Sequence, residues 1–109
     1  MAHRVNRGEV WLYSFRAPDK RRPVVILSRQ DVIPLLQTVI VAPVTSTIRG
    51  LRSEVPVGPS EGLKGPSAVN LDHVQIVEQD RLGHFLGRLD EEKMSAVCAA
   101  LAIAVGCGS

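Results

Sequence analysis

The chain has 109 residues, 45% of them hydrophobic and 22% charged. That is enough chain for one domain of ordinary globular composition, which excludes a disordered polypeptide and leaves no room for a second independent core. No apolar run approaches the roughly 20 residues needed to span a bilayer, and residues 1–8 lack the apolar stretch of a secretion signal, so no membrane association and a cytoplasmic location are expected.

The net charge of +2 conceals a polarity along the chain. Residues 1–52 carry nine basic and three acidic side chains, whereas the remainder carries four basic and eight acidic ones. A polyanion is drawn to surfaces built from the first half, although charge alone describes a polarised, solvated surface equally well.

In chain order, residues 9–15 alternate: Trp11, Tyr13 and Phe15 share one face of a strand, and Val10 and Leu12 share the other. The β-branched runs at 23–28 (PVVILS) and 38–44 (TVIVAPV) suit buried strands. Residues 53–57 alternate more weakly, and Pro56 points to a sheet edge or a bulge. The stretch 58–66 (GPSEGLKGP) is dense in turn formers and reads as a loop. Short strands are expected at 68–71, 75–77 and 84–89. Asp90 then N-caps a helix with Glu91 and Glu92 in its first turn; Met94, Val97, Cys98, Leu101 and Val105 form its apolar stripe, and Gly106 ends it. Short strands closed by one helix on so short a chain imply a compact barrel or small sandwich.

No phosphate-binding glycine loop, dinucleotide fingerprint or zinc-protease motif occurs. Cys98 and Cys107 match no metal-ligand spacing and read as reduced thiols, and His3, His73 and His84 are not spaced as ligands. No metal and no cofactor is expected. Two features stand out. Lys20-Arg21-Arg22-Pro23 places three cations at the entrance of a buried strand, either an anion site on a rigid element or a charged turn that keeps the strand soluble. Pro43-Val44-Thr45-Ser46-Thr47 ends a buried strand in three hydroxyls, which suit phosphate oxygens or turn amides.

Taken in order, Arg7-Gly8-Glu9-Val10-Trp11, Arg22-Pro23-Val24-Val25-Ile26-Leu27-Ser28, Val41-Ala42-Pro43-Val44-Thr45-Ser46 and Leu71-Asp72-His73-Val74-Gln75-Ile76-Val77, with Arg81-Leu82-Gly83 after it, resemble the signature of the MazF/PemK/Kid toxins. The resemblance runs from about Arg7 to about Val105. It implies a mainly β fold with helices, namely a small SH3-like antiparallel β-barrel of the MazF/CcdB type with a C-terminal helix. It also implies a homodimer, and a sequence-selective endoribonuclease that is neutralised by a cognate antitoxin. By motif position the family's catalytic arginine falls on Arg22 and its catalytic threonine on Thr45. The 15–22 loop is shorter than in many members, and His73 stands where glutamine is common; both departures bear on which RNA sequence is recognised.

On this resemblance the substrate is single-stranded RNA, cut by its own 2′-OH without a metal. Arg22 would hold two phosphoryl oxygens and meet the charge that develops there. A guanidinium surrenders its proton only at strongly alkaline pH, so charge stabilisation suits it better than base catalysis. Thr45 would donate to a phosphoryl oxygen, and Lys20, Arg21 and Arg49 would bind flanking phosphates. Ser46, Thr47 and His73 complete the RNA-binding set expected from the sequence. An antitoxin with an acidic, partly disordered tail would compete for the same basic groove. Two other readings share the fold: a CcdB-like gyrase poison and a non-catalytic RNA-binding module. A gyrase poison has no need of the Arg-Pro and Pro-x-Thr pairing.

Overall fold

The computed structural model describes residues 5–14 and 21–107. Lys20, named above as an RNA contact, and Phe15 lie outside the described residues. Among the described residues, seven strands and one α-helix follow in the order β1 (Glu9–Ser14), β2 (Arg21–Ile26), β3 (Thr38–Thr45), β4 (Glu54–Val57), β5 (Ser67–Asn70), β6 (Gln75–Glu78), β7 (Leu82–Arg88) and α1 (Glu91–Ala104). Short 3₁₀ turns join several of them. The described ladders are all antiparallel and run β4-β5-β3-β2-β1-β7, with β6 paired to β3. This is a mainly antiparallel sheet with a C-terminal helix, and its strand path is open, with β4 and β7 at its ends.

The long central strand β3 organises the rest. Val41–Pro43 pairs with β2, while Thr38–Val41 pairs with β6 and Val44–Thr45 with β5. One strand thus carries β6 near its start and β5 near its end. The β-branched run of β2 is apolar at successive positions because both of its faces are covered. Val24, Val25 and Ile26 are all fully buried, and alternation sends Val25 to one core cluster and Val24 and Ile26 to the other. Burying each such side chain contributes about 1.5–3 kcal/mol.

The first cluster packs Val10, Val25, Ala42, Val44 and Val69 against Val97 and Ala100 of α1. The second joins Trp11, Tyr13, Val24, Ile26, Val41 and Leu82. The split of β1 expected from its alternation is therefore present: Val10 faces one cluster, and Trp11 and Tyr13 face the other. Both of those aromatic rings belong to the core, not to an open stacking surface.

Pro56 sits in β4, at one end of the strand path. Its carbonyl accepts a hydrogen bond from Lys93 Nζ of α1 at 2.6 Å, so the helix covers that edge. The helix begins as the sequence predicts, with the Asp90 carboxylate accepting from Lys93 N at 2.8 Å. Its buried stripe differs from the expected one. Val97 and Ala100 are buried, with Met94, Leu101 and Ala104 packed beside them, whereas Cys98 is exposed and Val105 is 62% exposed. The cause is composition: residues 96–105 are apolar nearly all round, and small alanines permit close packing, so periodicity alone does not single out the face that docks.

At the start of β1, the buried Glu9 accepts from Asn6 N (2.8 Å), Asn6 Nδ2 (3.1 Å) and Trp11 Nε1 (3.0 Å), and lies 3.8 Å from Arg88 Nη2. Arg7 donates to the carbonyl of Leu27 and approaches Cys98 Sγ at 3.2 Å. These contacts tie the start of the described chain to β7, to α1 and to the residue that follows β2.

Candidate functional site

The site is built where β2 begins and β3 ends. Alternation along β2 buries Val24 and Ile26 on one face; Arg22 continues that face out to the surface, where its side chain is exposed. Pro23 follows at a half-buried position. On β3, Val44 is buried in the core, Thr45 is half-buried at the strand's last residue, and Ser46 and Thr47 are exposed just beyond it. Thr45 Oγ1 accepts from Thr47 N at 3.0 Å. That bond fixes the hydroxyl oxygen and leaves its proton free to be donated elsewhere.

A cavity of about 800 Å³ opens between these strand ends. Arg21, Arg22 and Pro23 line one wall, and Val44, Thr45, Ser46 and Thr47 line another. A third wall is the segment 62–67, and Leu12 and Leu86 add apolar surface. Among the described residues, three that line it are cations, Arg21, Arg22 and Lys64, and none is a carboxylate. Among the described residues, no side-chain hydrogen bond or ion pair engages any of the three. A concave site with unengaged cations, hydroxyls and an apolar floor is suited to a phosphate-bearing ligand.

The structure therefore brings together Arg21, Arg22, Thr45, Ser46 and Thr47, which the sequence singles out from two separate strands. It does not bring Arg49 or His73 to the cavity wall. Arg49 belongs to a turn in which the amides of Arg49, Gly50 and Leu51 approach Glu54 Oε1 at 3.1, 3.0 and 3.4 Å. His73 follows the end of β5 remote from Ser67, and its Nδ1 lies 3.1 Å from Asn70 Nδ2. Beside it, Ser53 Oγ donates to Asp72 Oδ2 at 2.5 Å. Both residues serve local turns at a distance from the strand mouth.

Lys64 was not among the residues expected from the sequence. Its segment, dense in glycine and proline, reads as a plain loop, yet it is firmly held. The buried Glu61 carboxylate accepts from Gly58 N at 2.7 Å, and Leu63 is buried in the first core cluster. Gly62 has φ +92°, and a Cβ there would stand 2.2 Å from the carbonyl oxygen of Leu86 in β7. A Cβ on Gly87 would stand 2.4 Å from the Glu61 carbonyl oxygen. Only two glycines back to back allow this approach. The legible signal was an acid three residues after Gly58 and a lone leucine amid turn formers.

Among the described residues, no group of three or more His, Cys, Asp or Glu side chains is arranged to hold a metal ion, and no helix is long and apolar enough to cross a membrane.

The chain is similar to known proteins along nearly its whole length. The chain is 51% identical over 102 residues to a probable endoribonuclease MazF5 of Mycobacterium tuberculosis, covering 93% of each chain. It is 46% identical over 83 residues to endoribonuclease MazF3 of the same species, covering 76% of this chain and 81% of that one. Among solved structures, the M. tuberculosis toxin MazF-mt6 superposes with a TM-score of 0.85 at 37% identity, covering 93% of this chain and 99% of that one. An endoribonuclease in complex with its cognate antitoxin, from a mycobacterial species, superposes with a TM-score of 0.87 at 28% identity, covering 97% and 99%. Residues 6–105 match the family described as PemK-like, MazF-like toxins of type II toxin–antitoxin systems, and the chain belongs to that family.

Proposed function

We propose that this protein is the toxin of a type II toxin–antitoxin system and acts in the cytoplasm as an endoribonuclease on single-stranded RNA. The observation that carries the reading is the convergence of Arg22 and Thr45, from different strands, on one cavity whose described walls hold three cations and no carboxylate. The 51% identity to a probable endoribonuclease over nearly the whole chain supports it. The whole chain forms a single domain, an SH3-like barrel in which the close approach of Gly62 and Gly87 takes the place of a closing ladder.

In this mechanism the RNA supplies its own nucleophile. The 2′-oxygen attacks the adjacent phosphorus, the bond from phosphorus to the 5′-oxygen breaks, and the proton lost from the 2′-hydroxyl is balanced by one gained at the leaving 5′-oxygen. The products are a 2′,3′-cyclic phosphate and a 5′-hydroxyl. Arg22 binds the phosphoryl oxygens with its planar fork and stabilises the added negative charge of the pentacoordinate state. Thr45, held by its bond from Thr47 N, donates its hydroxyl proton to one of those oxygens. Arg21 binds a neighbouring phosphate, Ser46 and Thr47 offer further hydroxyls, and no step requires a metal.

The partner of the toxin is an antitoxin whose acidic, partly disordered tail competes for the same cations, in keeping with the antitoxin-bound relative. The toxin itself is a homodimer. One small core, and large apolar side chains left exposed at Leu35 (77%), Ile76 (71%) and Ile40 (41%), support association. Incubating the pure protein with a long RNA in EDTA tests the function: discrete fragments are expected. Intact RNA bound to the protein would favour a binding module, and neither binding nor cleavage would favour a protein-directed poison.

A further inference from the structure

We infer that Lys64 is the cation that holds the phosphate next to the scissile one, from a part of the cavity lining that does not belong to β2. The inference rests on the ribonuclease reading of the site. Arg21 and Arg22 both belong to β2, whereas Lys64 belongs to the separate 62–67 segment of the lining. A single strand threading the cavity presents successive phosphates, and cations on separate walls engage two of them at once. Thr45, on β3, then acts on the phosphate that Arg22 holds.

The backbone that carries Lys64 is held in place before any ligand arrives. On its N-terminal side Leu63 is anchored in the core, Glu61 is buried and caps Gly58, and Gly62 is pressed against β7. On its C-terminal side Ser67 is paired with Val57 in the sheet, and Ser67 Oγ donates to the carbonyl of Gly65 at 3.1 Å. A lysine on so fixed a base loses only its own side-chain freedom on binding. No acid among the described cavity residues neutralises it. Its ammonium is a compact point charge suited to a phosphate whose geometry is not being changed, whereas the planar fork of Arg22 suits the reacting one. Lys64 thus contributes to affinity and register, not to the chemical step.

Cleavage kinetics and binding of Lys64→Ala and Lys64→Arg test this, with a single-stranded oligonucleotide of deoxy sugars as the uncleavable binding probe. Lys64→Ala is expected to raise KM for RNA and Kd for the probe about fivefold to tenfold, to leave kcat within about twofold, and to make the log Kd against log salt plot shallower by about 0.7, the share of one phosphate contact on a single strand. Lys64→Arg is expected to restore most of the affinity. An unchanged Kd and salt slope, or a fall in kcat with KM unmoved, overturns the assignment. A wild-type protein that binds the probe but cuts no RNA defeats the ribonuclease reading instead, and Kd and salt slope then still decide whether Lys64 holds a phosphate.

Discussion

Arg22 of β2 and Thr45 of β3 line one cavity at the mouth of those strands. Val24 pairs with Pro43, Val25 with Ala42 and Ile26 with Val41, and two residues beyond the first of these pairs lie Arg22 and Thr45. There Arg22 pairs with Tyr13 of β1 and Thr45 with Ala68 of β5. A guanidinium and a hydroxyl are thereby presented to the same cavity at the rim of a core whose rigidity comes from fully buried Val24, Ile26 and Val41.

Arg22→Ala is expected to lose nearly all cleavage while the fold survives, because Arg22 is exposed and has no described side-chain partner to lose. The check is a cleavage time course beside a thermal melt. A melting temperature far below wild type would make Arg22 a structural residue.

Thr45→Val removes the hydroxyl at nearly constant volume and is expected to lower the rate by about 10²–10³, the usual effect of losing one preorganised donor. Thr45→Ser keeps both the bond from Thr47 N and a donatable proton, and is expected to stay within about tenfold of wild type. Equal losses in the two variants would transfer the hydroxyl role to Ser46 or Thr47.

Gly87→Ala places a methyl group 2.4 Å from the Glu61 carbonyl oxygen, a backbone atom that cannot swing aside. Overpacking of this kind costs about 1–3 kcal/mol. Urea denaturation is expected to show a lower midpoint for Gly87→Ala and little change for Gly65→Ala, where an added Cβ meets nothing within 4 Å. Equal midpoints would mean that this contact does not hold the 58–66 loop against β7.

Much of this arrangement is legible in the residues themselves. The run of β2 announces a strand buried on both faces, and the cations before it and the hydroxyls after β3 mark the two strand ends that meet. Other parts depend on how the chain returns on itself. Lys64 approaches the cavity only because Gly62 and Gly87 meet, a contact between distant segments that no local pattern encodes. Arg49 and His73 lie in sequence beside residues of the right kind, yet their turns carry them away from the cavity wall. Cys98, expected on the buried stripe, is exposed, because a helix apolar on nearly every side does not announce which face docks.

The homodimer is expected to persist at micromolar concentration, seen by light scattering as twice the 11.8 kDa chain mass. A monomer mass throughout that range would contradict it.

The most direct test of the mechanism replaces one sugar. A single deoxynucleotide on the 5′ side of the scissile phosphate is expected to abolish cutting and leave binding largely intact, since phosphate contacts supply most of the affinity and chemistry alone requires the 2′-hydroxyl. The unmodified strand, cut in EDTA at the same rate as without it, is expected to yield a 2′,3′-cyclic phosphate and a 5′-hydroxyl. Efficient cleavage of the deoxy-substituted strand would make water or a side chain the nucleophile and contradict the account.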